Sequence, residues 1–273
     1  MVGIAKALLG GVSAVVVVWA VHRLSVVANA VLALRGVPTN GTTRFTDGQT
    51  VAVEGPVFVD EPAIVADRLV DSDVGTVGAY LWRAWFPDTG RYTYDFDRGE
   101  LRRGRSTFAS GLEAGRVGVT AGDRTLSIDF SWLHQVYDGD DLSELEVGNP
   151  ASNAKLPTVV TRHVWDGLYV SLESTVGDCS MDRLTDVVDL YRDDVATDGF
   201  NVEARAITAG QRLFVHGEVR VKNGEHIICG TDETPLLVSG TGREGLIRQL
   251  RWRALKYVLA LLAATGLGAL FVL

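Results

Sequence analysis

The chain has 273 residues, of which 47% are hydrophobic and 22% charged, with a formal net charge of −8. That is ample apolar material for one large domain or two small ones, and the acidic balance excludes nucleic acid as an expected partner, because phosphate contact draws on clustered Lys and Arg. Two cysteines, Cys179 and Cys229, stand apart with no CxxC pair, which excludes a four-ligand zinc site; they read as small core residues.

In chain order, the first element is an apolar run. Ala7 to Val21 carries no charge, and the apolar character continues through Leu34, broken only by His22, Arg23 and Asn29. A hydrocarbon core about 30 Å thick takes about twenty helical residues, so residues 4–34 are expected to form a transmembrane helix with a juxtamembrane extension. The alternative is a cleaved leader ending at Ala28-Asn29-Ala30, but Arg23 separates that site from the apolar run and more apolar residues follow it.

Residues 37–242 read as a β-rich soluble domain, one or two small barrel-like or sandwich-like units with a short helix. Short alternating runs dominate it: "TVAVEGPVFV", "AYLWRAWF" and "RYTYDF". "RVGVTAGDRTLSIDF" forms two runs around Gly122-Asp123, and Asn223-Gly224 divides "QRLFVHGEVRVKNGEHIICG" into two more; both read as hairpins. "TRHVWDGLYVSLE" is a further strand candidate, and Met181 to Asp194 is the internal helix, with Leu184, Val187, Val188 and Leu190 on one face.

One pattern occurs twice. "TDGQTVAVEGPVFV", Thr46 to Val59, returns as "TAGQRLFVHGEVRV", Thr208 to Val221, with seven of fourteen residues identical. Each copy carries a glycine mid-strand, Gly55 or Gly217, which marks a bend of the kind that curls a strand round a small barrel. The copies imply two related halves or one sheet built from related units.

After the domain come a basic helix over 243–253 and a second expected transmembrane helix over 254–273, whose residues from Tyr257 onward are uncharged. Residues 37–242 hold 18 Lys and Arg against 33 Asp and Glu, whereas the two flanks hold 8 against 1. Arg23, Arg35 and Arg44 follow the first expected span, and Arg243, Arg248, Arg251, Arg253 and Lys256 precede the second. By the positive-inside rule the domain is cytoplasmic and both termini lie outside. With 22 Arg, 4 Lys and 22 Asp against 12 Glu, the surface is of the kind a salt-rich cytoplasm selects, and a halophilic archaeon is the expected source.

The order of these elements resembles the membrane-adjacent domain, called GIDE or "beside a membrane", of mitochondrial-anchored E3 ubiquitin ligases and their prokaryotic relatives. The resemblance rests on "VAVEGPV" after the first span, "VGTVGAYLWRAW", the hairpin "RVGVTAGDRTLSIDF", "VEARAITAGQRLFVHGEV", and "PLLVSGTGREGLIRQLRWRALKYVLALL" leading into the second span. It implies a β-rich domain between two spans that receives a partner beside the membrane. Ligase activity is not implied, because the RING module of the eukaryotic members needs about eight Cys and His ligands and this chain has two Cys and five His.

No catalytic residue, metal site or cofactor is expected. "GTGREG", Gly240 to Gly245, fits GxGxxG, but no acid lies about twenty residues on and the helix it opens runs toward the membrane; a turn feeding a helix explains it. "DGDDLSELE" lacks the glycine spacing of a calcium loop. His216 and His226 flank the Asn-Gly turn and are expected to face each other across the hairpin. The binding candidates are Arg98, Arg102, Arg103 and Arg105, concentrated in "DRGELRRGRS", which could take anionic lipid headgroups or an acidic peptide, or pair with nearby carboxylates. The expected function is a non-catalytic binding or scaffold domain that receives a protein or lipid partner at the membrane. The alternative is a ligase-like or protease-associated component whose chemistry a partner supplies.

Overall fold

The computed structural model describes residues 2–41, 44–69, 75–95, 100–137, 142, 168–172, 177–180, 184 and 199–272. These form two sheets and a pair of long helices. The elements run α1 (Val2–Gly36), β1 (Thr50–Glu61), α2 (Ala66–Leu69), β2 (Val77–Asp95), β3 (Glu100–Ala114), β4 (Arg116–Ala121), β5 (Arg124–Ile128), α3 (Ser131–Tyr137), β6 (Val170–Ser171), β7 (Gly177–Ser180), β8 (Asn201–Thr208), β9 (Arg212–Lys222), β10 (Glu225–Cys229), β11 (Leu237–Ser239) and α4 (Gly242–Val272). The expected internal helix over 181–194 and the acidic run 138–146 lie outside the described residues, except for buried Leu184 and Leu142.

Both expected hairpins form. β4 and β5 pair antiparallel across Gly122, whose φ of 61° is one that a residue without a side chain adopts freely. β9 and β10 pair across Asn223 and Gly224, at φ 53° and 83°, the two positive values a tight type I′ turn requires.

The first sheet closes into a small barrel. β1 pairs with β4, β4 with β5, β5 in parallel with β10, β10 with β9, and β9 returns to β1. β11 and β6 extend the sheet from β9. Alternate residues of β1 and β9 fill the interior: Val51, Val53 and Val57 from one, Leu213, Val215 and Val219 from the other, all packed with Val117, Val119, Leu126 and Ile128.

The two copies of the repeated pattern pair with each other. β1 and β9 run antiparallel with Val53 opposite Val215, its own counterpart in the repeat, so a local twofold passes through that pair. Val51 lies opposite Gly217, and Gly55 opposite Leu213. The turns obey the same symmetry. Gly48 N donates to Val219 O and Val219 N to Gln49 O, both at 2.8 Å; Gly210 N donates to Val57 O and Val57 N to Gln211 O, again at 2.8 Å. Within each turn a glutamine side chain accepts from the threonine three residues before it, Thr46 N to Gln49 Oε1 and Thr208 N to Gln211 Oε1, both 3.1 Å.

Gly55 and Gly217 occupy inward positions where a neighbouring strand crosses close by. A Cβ on Gly55 would lie 1.8 Å from Thr120 O, and one on Gly217 would lie 2.6 Å from Cys229 O. β1 pairs with β9 through Pro56 and with β4 from Val57 onward, just past Gly55. Sterics, rather than unusual dihedrals, require glycine here, since neither residue has positive φ.

The second sheet, in the order β3-β2-β8-β7, is antiparallel. One face sends Ala79, Leu81, Leu112 and Ile207 into the barrel cluster. The other buries Tyr80, Trp82, Ala84, Val202, Ala204 and Ala206 beneath Ala66, Leu69, Leu142 and Leu184. Burial on both faces explains why "AYLWRAWF" is nearly continuous in apolar residues.

A third cluster docks the helices on the outside of the barrel, where Val27, Ala30 and Leu34 of α1 and Leu246 and Leu250 of α4 meet Ala52, Phe214 and Leu237. The helices are antiparallel neighbours: the Trp19 and Tyr257 rings stack edge to face at 5.4 Å, and the Arg243 guanidinium donates to Leu34 O. Among the described residues one segment, Gly10–Gly36, is long and apolar enough to cross a membrane. Of the two expected spans, the first thus has a helix of fitting length and composition, and the second has no such support among the described residues. α4 is a single continuous helix, and Arg243, Arg248, Arg251, Arg253 and Lys256 along its first half interrupt its apolar sequence.

A methyl group on Gly55 has no room without moving the Thr120 carbonyl. Gly55→Ala is expected to cost about 3 kcal/mol or to prevent folding, whereas Gly48→Ala, strained by φ but with open space beside it, is expected to cost about 1 kcal/mol. Denaturant midpoints followed by tryptophan fluorescence measure both, and equal costs would remove the close-approach argument.

Candidate functional site

Three of the four sequence candidates fall among the described residues, all on one strand. Arg98 lies outside them. Arg102, Arg103 and Arg105 belong to β3, opposite Thr93, Tyr92 and Pro87 of β2. β8 pairs with β2 only as far as Trp85, so among the described residues this stretch pairs only within the β2–β3 hairpin.

Polar chemistry collects instead where the barrel meets the helix pair. His216 is fully buried on β9, opposite Ala52 on one side and Leu237 on the other. Its Nδ1 lies 3.1 Å from Pro235 O, while Nε2 is buried with no hydrogen-bond partner. An Nδ1–H tautomer donating to that carbonyl fits, leaving a bare lone pair on Nε2. Burial above all, with the Arg243 charge nearby, holds the imidazole below its ordinary value of 6.5 despite the bond to Pro235. Arg243 Nε and Thr39 Oγ1 are also buried without partners, and Thr39 bridges to Ala52, the residue opposite His216.

His226 is elsewhere. It pairs with Val221 and rests against Phe45, with ring centres 6.0 Å apart, so the expected facing of His216 and His226 is corrected. The hairpin register sets each of them opposite a different residue, and ten residues of sequence separation do not make a cross-strand pair here.

The start of α4 holds the "GTGREG" segment. Gly242 has φ 72°, and the Glu54 carboxylate approaches within 3.5 Å of where its Cβ would be. Arg212 Nε donates to Glu54 Oε1 at 2.9 Å. A carboxylate held by Arg212 thus sits beside the N-terminal turn of this helix, where the helix dipole favours negative charge.

A second polar group spans the other sheet. Arg83 Nε donates to Glu203 Oε2 at 2.7 Å across the β2–β8 ladder, and Glu203 is buried. Arg205 is pushed below its ordinary value by burial first, then by Arg83 and Arg253, so the second sheet brings cationic side chains to the side of α4. The two free cysteines are buried in different layers, Cys179 in the second sheet and Cys229 in the barrel; burial raises the Cys229 thiol, whose Sγ donates to Glu218 O at 3.4 Å. Among the described residues no three His, Cys, Asp or Glu side chains group as a metal site.

Sequence reading missed His216 as a junction residue because its run, "RLFVHGEV", looks like any alternating strand. The signal available was the repeat itself, in which His216 stands where the first copy has Glu54, so an ionisable group recurs at one outward position.

Because folding lowers the His216 value, the unfolded chain binds a proton that the folded chain refuses. Stability is full above pH 6.5 and falls as pH drops through the window below it, by at most about 1.4 kcal/mol per pH unit for one proton. His216→Gln is expected to flatten that part of the pH–stability curve, as read by urea midpoints between pH 5 and 8; an unchanged slope would assign it to another group.

No family model, curated protein or solved structure matches the chain.

Proposed function

We propose that this protein is a membrane-anchored, non-catalytic binding module: α1 and α4 cross the bilayer as an antiparallel hairpin and hold the acidic β domain against the cytoplasmic face, where it receives a protein or lipid partner. One observation carries this reading. The helix pair is apolar and uncovered in its outer half, yet docked in its inner part. Val12, Val15, Val18, Val258, Leu259 and Leu262 are exposed, Val15 at 69%, whereas Val27, Ala30, Leu34, Leu246 and Leu250 are buried against the barrel. An exposed apolar surface of that extent is stable in lipid, not in water.

The helices also match in length. Contacts at Trp19–Tyr257 and Leu34–Arg243 fix a register in which the uncharged run from Val21 back to Ala7 lies beside the run from Tyr257 onward. The fifteen residues from Ala7 to Val21 span about 22 Å at 1.5 Å per residue, most of a hydrocarbon core about 30 Å thick. α4 thereby supplies the second span although its basic half interrupts it. The docking leaves no flexible linker: α4 begins three residues after β11, and Thr39, three residues after α1, bridges to β1. A rigid mount of this kind suits a domain that presents a surface at a set height above the bilayer.

Orientation follows from the basic residues on the domain side of both helices. Asn40, in the sequon Asn40-Gly41-Thr42, is a poor reporter of it, because its side chain is engaged at both ends with the Glu54 backbone, Nδ2 to Glu54 O at 3.0 Å and Glu54 N to Oδ1 at 2.9 Å. Asp123→Cys at the exposed β4–β5 turn is a better one, since Cys179 and Cys229 are buried. The protein is expected to remain in the membrane pellet after alkaline carbonate extraction, and an impermeant maleimide is expected to label the variant only after cells are permeabilised. Carbonate release would overturn the anchor, and labelling of intact cells would overturn the orientation.

A further inference from the structure

The helix register brings together cations that lie far apart in the sequence. With Trp19 beside Tyr257 and Leu34 beside Arg243, Arg23 of α1 stands level with Arg253 of α4. Arg251 and Lys256 lie within about 4 Å of that level along the axis at 1.5 Å per residue. Arg251 and Lys256 are exposed, Arg23 and Arg253 half-buried, and none of the four pairs with a described acidic residue. Trp252, 61% exposed, projects from the same belt. On the far side the apolar surface begins, with Leu255, Val258 and Leu259 exposed on α4; on the near side sits a domain with a net charge of −15 over residues 37–242.

We infer that Arg23, Arg251, Arg253 and Lys256, with Trp252 at their level, form a headgroup belt that binds the phosphate groups of anionic phospholipids directly. This rests on the membrane reading above and specifies which lipid the anchor selects. Charge forces the choice: an acidic domain held rigidly near an anionic surface is repelled unless cations stand between them, and the belt is that layer. The preference for arginine fits direct contact, because a guanidinium grips phosphate oxygens in two parallel hydrogen bonds. In concentrated salt, where screening acts over about 3 Å at 1 M, such contact survives where long-range attraction does not. Tryptophan takes the boundary between headgroup and chain. The belt is distinct from Arg102, Arg103 and Arg105, which lie on the β2–β3 hairpin of the second sheet.

The test uses the full chain in detergent, with lipid adducts counted by native mass spectrometry in the presence of phosphatidylglycerol, phosphatidylcholine or inorganic phosphate. The wild type is expected to retain phosphatidylglycerol about tenfold over phosphatidylcholine, and R251Q/K256Q, both at exposed positions, to lose most of that preference; R251Q alone gives a smaller drop in the same direction. Absence of preference in the wild type, or its persistence in R251Q/K256Q together with its loss in R102Q/R103Q/R105Q, would overturn the belt. Displacement of phosphatidylglycerol by millimolar inorganic phosphate would also overturn it, by assigning the site to free phosphate. Flotation with vesicles of phosphatidylcholine alone tests the anchor separately: a chain that floats but shows no anionic preference keeps the anchor and loses the belt.

Discussion

The close antiparallel pairing of β1 with β9 is the constraint on which the rest of the structure depends. It closes the barrel, and Gly55 and Gly217 on its two strands let the Thr120 and Cys229 carbonyls of β4 and β10 come nearer than a side chain permits. Each turn of the repeat hydrogen-bonds to the strand of the other copy, so the two copies complete one another. Neither unit has its pairing partners alone. The barrel is therefore one folding unit assembled from both ends of the domain, with the second sheet inserted between the copies along the chain.

Inside and outside of that strand pair have different histories in the residues. Inward positions are alike in the two copies: Val51 and Leu213, Val53 and Val215, Gly55 and Gly217, Val57 and Val219. Outward positions differ: Ala52 against Phe214, Glu54 against His216. The interior must satisfy the same packing twice, whereas the exterior receives two different helices. Small Ala52 and large Phe214 both enter the helix-docking cluster, Glu54 lies at the start of α4, and His216 lies beside Arg243. The symmetry is kept where the core demands it and broken where the two helices dock.

A rigid attachment shapes what the domain can do. Among the described residues no nucleophile–base pair forms around the junction: His216 is sealed from solvent, and its Nδ1 lies against the Pro235 carbonyl. Its cost is a buried, half-satisfied ring, which couples the docking of helices and barrel to protonation. The junction holds the two helices against the outside of the barrel.

Local chemistry was legible in the sequence. Gly122-Asp123 and Asn223-Gly224 specify hairpins because a turn is decided by the dihedrals its own residues accept, and residues Gly10–Gly36 declare a long apolar helix by composition alone. The repeat was legible as likeness, but not as contact. That Val53 meets Val215, that Arg23 stands level with Arg253 though 230 residues separate them, and that His216 faces Pro235 and not His226 are matters of register between distant segments. The arginine-rich run from Arg98 to Arg105 drew attention because its charges are neighbours in one dimension, while the cations of the helix belt become neighbours only when two helices pack. The sequence by itself determined turns, strand periodicity and the apolar helix, since these depend on interactions within a few residues. The tertiary structure alone decided which strands close the barrel and which charges share a level, because those depend on packing between segments that the chain order does not bring together.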